Sequence, residues 1–207
     1  MSESERSKWD ERYRSGSYAQ RTHPTALLAD NLSELPRGRA LDVACGAGRN
    51  AIYLAAAGYK VDAVDISAVG LKSAASSARA KAVHVNWIEA DLAAAPAGST
   101  LPARRYNLIV MVRYVNMPLL PILAEKLNEG GYLLCEQHLR TPLPAVGPRN
   151  PEFRLAANEL LHAGTGLRVL SYREGPVLDP DGRRAALAQL IACREPPLFD
   201  IATGELP

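Results

Sequence analysis

The sequence predicts an α/β fold in which a doubly wound, seven-stranded sheet is mostly parallel and ends in an antiparallel hairpin. Two observations predict it. Strand-like and helix-like patterns alternate from about residue 39 to about residue 138, which is typical of parallel βαβ units. After this point two apolar runs flank Asp179-Pro180-Asp181-Gly182, and an Asp-Gly turn between apolar runs indicates a hairpin.

The first half of the sheet consists of three predicted strands and two helices. Apolar runs predict strands over Ala40–Cys45, Lys60–Val64 and Val83–Ala90. The helix after the first strand begins at about Asn50 and stops at Gly58, because glycine commonly terminates helices. The next helix has Ser67 as its N-cap and continues to about Ala80.

The second half starts with a near-continuous apolar run, Tyr106–Val112, which predicts a central parallel strand. A helix over Leu119–Leu127, ending at Gly130-Gly131, and a strand over Tyr132–Gln137 follow. The remaining patterns predict a proline-rich loop, a short helix and the two hairpin strands, at Leu139–Pro151, Arg154–His162, Leu167–Glu174 and Ala185–Arg194.

Composition and patterning divide the chain into a helical preface or lid (1–38), one α/β domain (39–194) and a Pro-rich tail (195–207). The length of 207 residues suits one domain with a substantial core. Acidic and basic residues are interspersed and the net charge is +2, so no basic stripe indicates a nucleic-acid partner.

The three cysteines, Cys45, Cys135 and Cys193, are odd in number and lack metal-site spacing. We expect buried, reduced thiols and no metal site. No signal sequence or apolar membrane span is visible, so we expect no membrane association and a cytoplasmic location. The oligomeric state is left open.

The stretch that carries most of the functional signal is Arg39–Asn50. A strand containing Asp42 runs into the glycine-spaced turn Gly46-Ala47-Gly48, and a helix then opens. Such a turn lets the backbone approach a bulky ligand and points helix N–H groups at it. Asp65 follows the second strand, nineteen residues after Gly46, where a carboxylate can accept both hydroxyls of a ribose. These features predict a nucleoside site in a Rossmann-like sheet.

The layout of strands and the motif Asp42-x-Ala44-x-Gly46-x-Gly48 resemble the class I S-adenosylmethionine-dependent methyltransferases, with Ala44 in place of a glycine. The chain is more closely similar to the tellurite-resistance-type methyltransferases. The segments that carry this likeness are Trp9–Tyr13, Leu41–Asn50, Arg113–Asn116 and Gly147–Pro151.

This resemblance implies that S-adenosylmethionine is the cofactor. It implies that Gly46 and Gly48 pass close to its amino-acid part, and that Asp42 orders the loop and binds the methionine amine directly or through water. Asp65 would bind the ribose. The other implied cofactor contacts are Ala44, Arg49 and Asn50 in the loop, Ile66, Asp91 and Leu92 around the adenine, and Trp9, Arg12 and Tyr13 in a lid. Each of these roles has a structural alternative. The glycine turn could merely pack the following helix against the sheet, and the pair Trp9 and Tyr13 could merely dock the N-terminal helix on the core.

The expected catalytic candidates are Arg113, Tyr114 and His138, which follow the fourth and fifth strands at the edge where such sheets place ligands. Arginines around one cleft favour an anionic acceptor, although scattered surface arginines are an alternative. A thiolate acceptor needs no general base, whereas an amine or hydroxyl could use His138 or Tyr114. We expect a small-molecule acceptor, and the family resemblance implies a thiol, selenium or tellurium species.

Two other functions are compatible with the sequence. Gly46-x-Gly48-x-x-Ala51 also fits the dinucleotide fingerprint, which would indicate an NAD(P)-dependent oxidoreductase. Asp42 inside the first strand, Asp91-Leu92 after the third, and the antiparallel end of the sheet favour methyl transfer instead. A non-catalytic subunit that binds S-adenosylmethionine is the other alternative.

Overall fold

A computed structural model describes residues 3–142, 145–163 and 166–195. Seven strands form one sheet in the order β3-β2-β1-β4-β5-β7-β6. Strand β7 is antiparallel to β5 and β6, and the other neighbours are parallel. The strands are β1 (Arg39–Val43), β2 (Lys60–Asp65), β3 (Asn86–Glu89), β4 (Tyr106–Val112), β5 (Leu127–His138), β6 (Arg168–Leu178) and β7 (Arg184–Cys193). The predicted fold class is confirmed.

Six α-helices are present in the described residues: α1 (Glu3–Arg14), α2 (Ala26–Asn31), α3 (Arg49–Ala56), α4 (Ala68–Ala80), α5 (Leu120–Glu125) and α6 (Glu159–Ala163). Short 3-10 helices lie at Leu32–Glu34, Met117–Leu119 and Pro151–Phe153. None of the helices in the described part of the chain has the length and apolar character needed to cross a membrane.

Both faces of the sheet are buried along its central strands, whereas the edge strands β3 and β6 contain no buried residue. Neighbouring residues of a strand, such as Leu133 and Leu134 of β5, belong to different core clusters because side chains alternate along a strand. Helices α2, α3 and α4 cover one face, and α5 and α6 cover the other. This double cover explains the near-continuous apolar strands. The three cysteines are buried free thiols, as predicted.

The third strand is shorter than predicted. It begins at Asn86, whereas the apolar pattern predicted a start at Val83. Ala82 has a positive φ of 53°, and the N–H of Val83 donates to the carbonyl of Ala78. The residues before the strand are therefore used to close the end of α4.

Strand β5 begins at Leu127, so the predicted helix over Leu119–Leu127 is shortened to α5. Leu127 pairs with Tyr106 ahead of a register shift in the β4–β5 ladder. Gly130, with φ +69°, lies in this irregular stretch. A glycine pair that was expected to end a helix instead lies inside a strand.

The predicted helix over Arg154–His162 is wrong in its first half. Leu155 forms a parallel bridge with Leu139, and its N–H donates to the carbonyl of His138. Asn158 has a positive φ of 62°, so the helical turn begins only at Glu159. The backbone before α6 therefore pairs with the chain that directly follows β5. It lies at the carboxyl end of this strand, where the sequence predicted the site.

Candidate active site

The loop between β1 and α3 is a tight left-handed turn. Ala44, Gly46 and Gly48 have φ values of +56°, +56° and +76°. A residue with a Cβ loses about 1–2 kcal/mol in this conformation, so Ala44 makes the loop less stable than glycine would.

The two glycines of the loop serve different neighbours. A Cβ at Gly48 would lie 2.6 Å from Trp87 Cη2 and 2.8 Å from the Cβ of Ala74, so this glycine lets α3 begin against α4 and Trp87. A Cβ at Gly46 would overlap the hydroxyl oxygen of Tyr13. The Cβ position of Gly46 therefore faces the N-terminal segment, and that of Gly48 faces α4 and Trp87.

Asp42 is fully buried in β1. Its Oδ2 accepts the N–H of Ala51 at 2.9 Å, which anchors the first turn of α3. Its Oδ1 has no hydrogen-bond partner among the described residues. Burial raises the pKa of Asp42 to about 7, although the Ala51 hydrogen bond and the Arg49 charge act against the shift. A ligand ammonium group at Oδ1 would supply the missing donor, so Asp42 fits the expected role towards a methionine amine.

Asp65 ends β2 and is held from both sides. Its Oδ2 accepts the N–H of Gly46 at 2.7 Å, and its Oδ1 accepts the N–H of Ser67 at 2.9 Å. Burial raises its pKa, against the effect of these hydrogen bonds. Each oxygen retains a second lone pair. The carboxylate is thus fixed where a ribose could use it, beside the half-buried Ile66.

Helix α1 lies over these carboxylates. Asp10 Oδ1 accepts the hydroxyl of Ser67 at 2.5 Å and the N–H of Val69 at 3.3 Å, and Arg6 pairs with Glu89 at 3.0 Å. No residue of α1 is fully buried, and these polar contacts hold the helix in place together with the half-buried Tyr13.

Tyr13 is the α1 side chain that reaches the loop. Its ring packs on Gly70, where a Cβ would lie 2.9 Å from Tyr13 Cε2. Burial, followed by the charge of Asp65, raises the pKa of Tyr13. Trp9 lies 6.2 Å from Tyr13 between ring centroids, and the exposed Arg12 lies over Trp9 at 4.8 Å. Trp9 and Arg12 therefore support Tyr13 from outside.

Arg49 and Asn50 bind the N-terminal segment. The side-chain oxygen of the buried Asn50 accepts the N–H of Thr25 at 3.0 Å. Arg49 Nη1 donates to the carbonyl of His23 at 3.2 Å. The two loop residues that were expected to contact the cofactor thus join the start of α3 to the chain before α2.

Tyr114 is linked through Asn116 to Leu92, which was expected to lie near the adenine. Asn116 Nδ2 lies 3.3 Å from both the Tyr114 hydroxyl and the carbonyl of the buried Leu92. Burial is the main cause of the raised pKa of Tyr114, and the charges of Asp91 and Asp65 add to it. Asp91 also accepts the N–H of Ala93 in an Asx turn at 2.9 Å. Asn116 was not predicted, although it ends the segment that carries the family resemblance.

Arg113 follows β4 with φ +59° and is buried in an ion-pair network. Its Nη1 donates to Asp179 Oδ2 at 2.8 Å, and its Nε donates to Glu136 Oε1 at 3.3 Å. Glu136 also accepts the Thr25 hydroxyl at 2.7 Å and Gln189 Nε2 at 2.8 Å. Burial opposes the charged form, but the hydrogen bond with Asp179 and the charges of both acids raise the pKa of Arg113. The network unites β4, β5, β7, the hairpin turn and the N-terminal segment.

A small cavity of about 10 Å³ lies beside this network. Its walls are formed by Gln20, Arg21, His23, Arg49, Arg113, Asp179, Pro180 and Asp181. The Nε of Arg21 is buried without a hydrogen-bond partner. Burial is the main cause of the lowered pKa of Arg21 and of Arg49, and neighbouring arginines lower both further. The cationic groups around this cavity outnumber the acids, so the electrostatic potential beside it favours negative charge. Arg21 and Asp179 were not predicted.

His138 ends β5 and is buried under the loop at Gly147. A Cβ at Gly147, where φ is +140°, would lie 2.8 Å from His138 Nδ1 and 2.9 Å from Arg154 Nη2, so glycine permits this approach. The Nδ1 has no partner among the described residues. Burial, with the charges of Arg113, Arg154 and Arg21, lowers the pKa of His138 to about 3. His138 is therefore a neutral imidazole at pH 7 and a weak base.

This shift predicts how stability changes with pH. Because the folded pKa of His138 lies below that of the unfolded chain, its contribution is intact above pH 6.5 and is lost as the pH falls towards 3. Relative to His138→Gln, the wild type should lose about 2 kcal/mol of unfolding free energy between pH 7 and pH 5, at about 1.4 kcal/mol per pH unit. Urea denaturation at each pH measures this difference. The exposed His84, changed to Gln, is the control, and parallel curves for wild type and His138→Gln would contradict the prediction.

Known proteins share this architecture. Residues 40–131 match the model of a family described as a methyltransferase domain. TehB from Haemophilus influenzae aligns with a TM-score of 0.68 and 23% identity over 81% of this chain and 61% of that one. A TehB-like methyltransferase from Corynebacterium glutamicum aligns with a TM-score of 0.60 and 16% identity over 94% and 100%. The chain thus spans 61% of the length of the H. influenzae protein. No curated protein sequence matches the chain.

The strand order is that of the class I methyltransferase fold, and the stretch that matches a methyltransferase-domain model, residues 40–131, contains the glycine loop. TehB and the TehB-like protein share this fold with the chain, in agreement with the predicted resemblance. A structural relative from Synechocystis, magnesium protoporphyrin IX methyltransferase, contains bound S-adenosylmethionine (TM-score 0.57, 18% identity, 82% of this chain and 74% of that one).

Proposed function

We propose that the protein transfers a methyl group from S-adenosylmethionine to a small anionic acceptor, a thiolate or a chalcogen species, in the cytoplasm. The observation that carries the proposal is the pair of fixed carboxylates at the glycine loop. Asp42 presents a buried, unpartnered oxygen, and Asp65 is held in place by the N–H groups of Gly46 and Ser67. An amine and a ribose are the groups that these two carboxylates would recognise.

When bound, the cofactor supplies a sulfonium whose methyl group is already activated for displacement. The protein then has to hold the acceptor roughly 3–3.5 Å from the methyl carbon and exclude water. Helix α1, with Tyr13 over Gly46 and Asp10 on the start of α4, is the proposed lid. Its polar attachment allows it to open for the cofactor and close again.

The charges of the site favour an acceptor that arrives deprotonated. Arg21 and Arg49 lie beside the cavity with more positive charge than the neighbouring acids neutralise. His138, neutral and with a pKa of about 3, has little tendency to take a proton from a neutral acceptor. An anionic nucleophile needs no such base and is attracted by the arginines.

Transfer of a radiolabelled methyl group tests this proposal. We expect turnover with a thiol, selenite or tellurite in the panel of acceptors, and we expect Arg21→Gln to raise the acceptor KM about tenfold with little change in kcat. Arg79→Gln, which removes an exposed charge from the end of α4, is the matched control. Turnover only with neutral amines or hydroxyls would contradict an anionic acceptor. Cofactor binding without turnover on any acceptor would instead support the non-catalytic alternative.

A further inference from the structure

A second cluster of arginines lies on the outer side of the loop that follows β5. Arg140, Arg149 and Arg154 line an open groove of about 510 Å³, together with Thr141, Ala145, Pro148 and Pro151. Among the described residues, no acidic side chain lines this groove. Its volume is in the range of small-ligand sites, which is roughly 300–1,000 Å³.

The groove is built by ordered contacts of the backbone. Arg154 Nε donates to the carbonyl of Pro148 at 2.8 Å, and its Nη1 donates to the carbonyl of Leu139 at 2.9 Å. Val146 forms a bridge with Ala185 of β7. Arg140 Nε donates to the carbonyl of Arg154 at 3.1 Å. These bonds hold two guanidinium groups in fixed positions against a loop that is pinned to the sheet.

The donors of the groove are largely unused. Arg140 has both terminal nitrogens free of partners among the described residues, and Arg149 makes no hydrogen bond or ion pair with any of them. The nearest acid in sequence, Glu152, is bound by the side chain of Asn150 at 3.0 Å. Guanidinium groups match the geometry of phosphate and carboxylate oxygens, which they bind with paired hydrogen bonds.

We infer that this groove is a binding site for a phosphate-bearing small molecule, separate from the cavity beside Arg113. The two share no lining residue. Three converging guanidinium groups suit a ligand with more than one negative charge. Pro148 and Pro151 provide an apolar wall for the rest of the molecule. The inference does not depend on which acceptor is methylated.

Isothermal titration with inorganic pyrophosphate tests the site in the 207-residue chain. We expect saturable binding that Arg149→Gln weakens at least tenfold. Arg149 is exposed and makes no contact that the fold needs, so this variant should keep the wild-type thermal midpoint. Arg79→Gln should bind as the wild type does. Backbone amide shifts confined to residues 145–155 would place the ligand in the groove.

Three results would overturn the inference. The first is an absence of binding, and the second is equal binding by the wild type and Arg149→Gln. The third is binding of citrate without binding of pyrophosphate, which would overturn the assignment of phosphate. Arg49→Gln, which alters the other cationic cavity, should leave pyrophosphate binding unchanged; a loss there would assign the anion to that cavity instead.

Discussion

Asp65→Ala should abolish the stabilisation of the protein by S-adenosylhomocysteine. At about 100 times its dissociation constant a ligand stabilises a protein by roughly 2.7 kcal/mol, which raises the midpoint of a domain of this size by a few degrees. The wild type should show this shift. The variant should not, because it lacks the carboxylate that both receives the Gly46 N–H and faces the expected ribose.

The variant will also lose stability without ligand, since the N–H groups of Gly46 and Ser67 lose their acceptor. Ser67→Ala separates the two effects. It removes the cap of α4 and the hydroxyl bonded to Asp10, at a cost of about 1 kcal/mol, but keeps Asp65. We expect a lower midpoint with the ligand shift retained.

Differential scanning fluorimetry with S-adenosylhomocysteine, S-adenosylmethionine, NAD and NADP in parallel measures these shifts. A shift with NAD or NADP alone would refute methyl transfer and support the oxidoreductase alternative. A ligand shift of full size in Asp65→Ala would show that Asp65 does not bind the ribose.

The fold was predictable because its signals are local. The alternation of strands and helices from Ala40 onwards, and the Asp-Gly turn before β7, each lie within a short segment. Burial of both faces of the sheet made the strands continuous apolar runs, so they could be located directly. The bounds failed where tertiary pairing decided them. Leu127 pairs with Tyr106 of β4, and Leu155 forms an isolated bridge with Leu139.

The residues of the candidate site could be predicted only where they belong to a local sequence motif. Asp42, Gly46 and Asp65 lie within the glycine loop or at the end of the next strand, and the structure brings them together. By contrast, Asp10 caps α4 from a segment 57 residues away. No local pattern indicates such a partner.

The same reason explains Arg113. Its position after β4 predicted that it lies at the edge of the sheet where ligands bind, but its partner Asp179 lies 66 residues further along the chain. A sequence shows neither that this aspartate turns inwards nor that Asp181, in the same turn, pairs instead with the exposed Arg183.

These two aspartates provide the second large prediction. Asp179→Ala should lower the free energy of unfolding by about 3–5 kcal/mol, because it leaves the buried Arg113 charge with only Glu136 as a partner. Asp181→Ala breaks an exposed ion pair in the same turn and should cost at most about 1 kcal/mol. Urea denaturation of both variants measures the difference.

The comparison also decides what Arg113 does. If Asp179→Ala is severely destabilising and Asp181→Ala is not, the guanidinium of Arg113 is committed to holding the hairpin, β5 and Thr25 together at the functional edge. Arg113 is then a positioning residue, and Arg21 and Arg49 are the cations left to attract an acceptor. If both variants lowered the free energy of unfolding by an equal and small amount, the ion pair between Arg113 and Asp179 would contribute little to stability. Its charge would then be free for an anionic substrate, as its place after β4 first indicated.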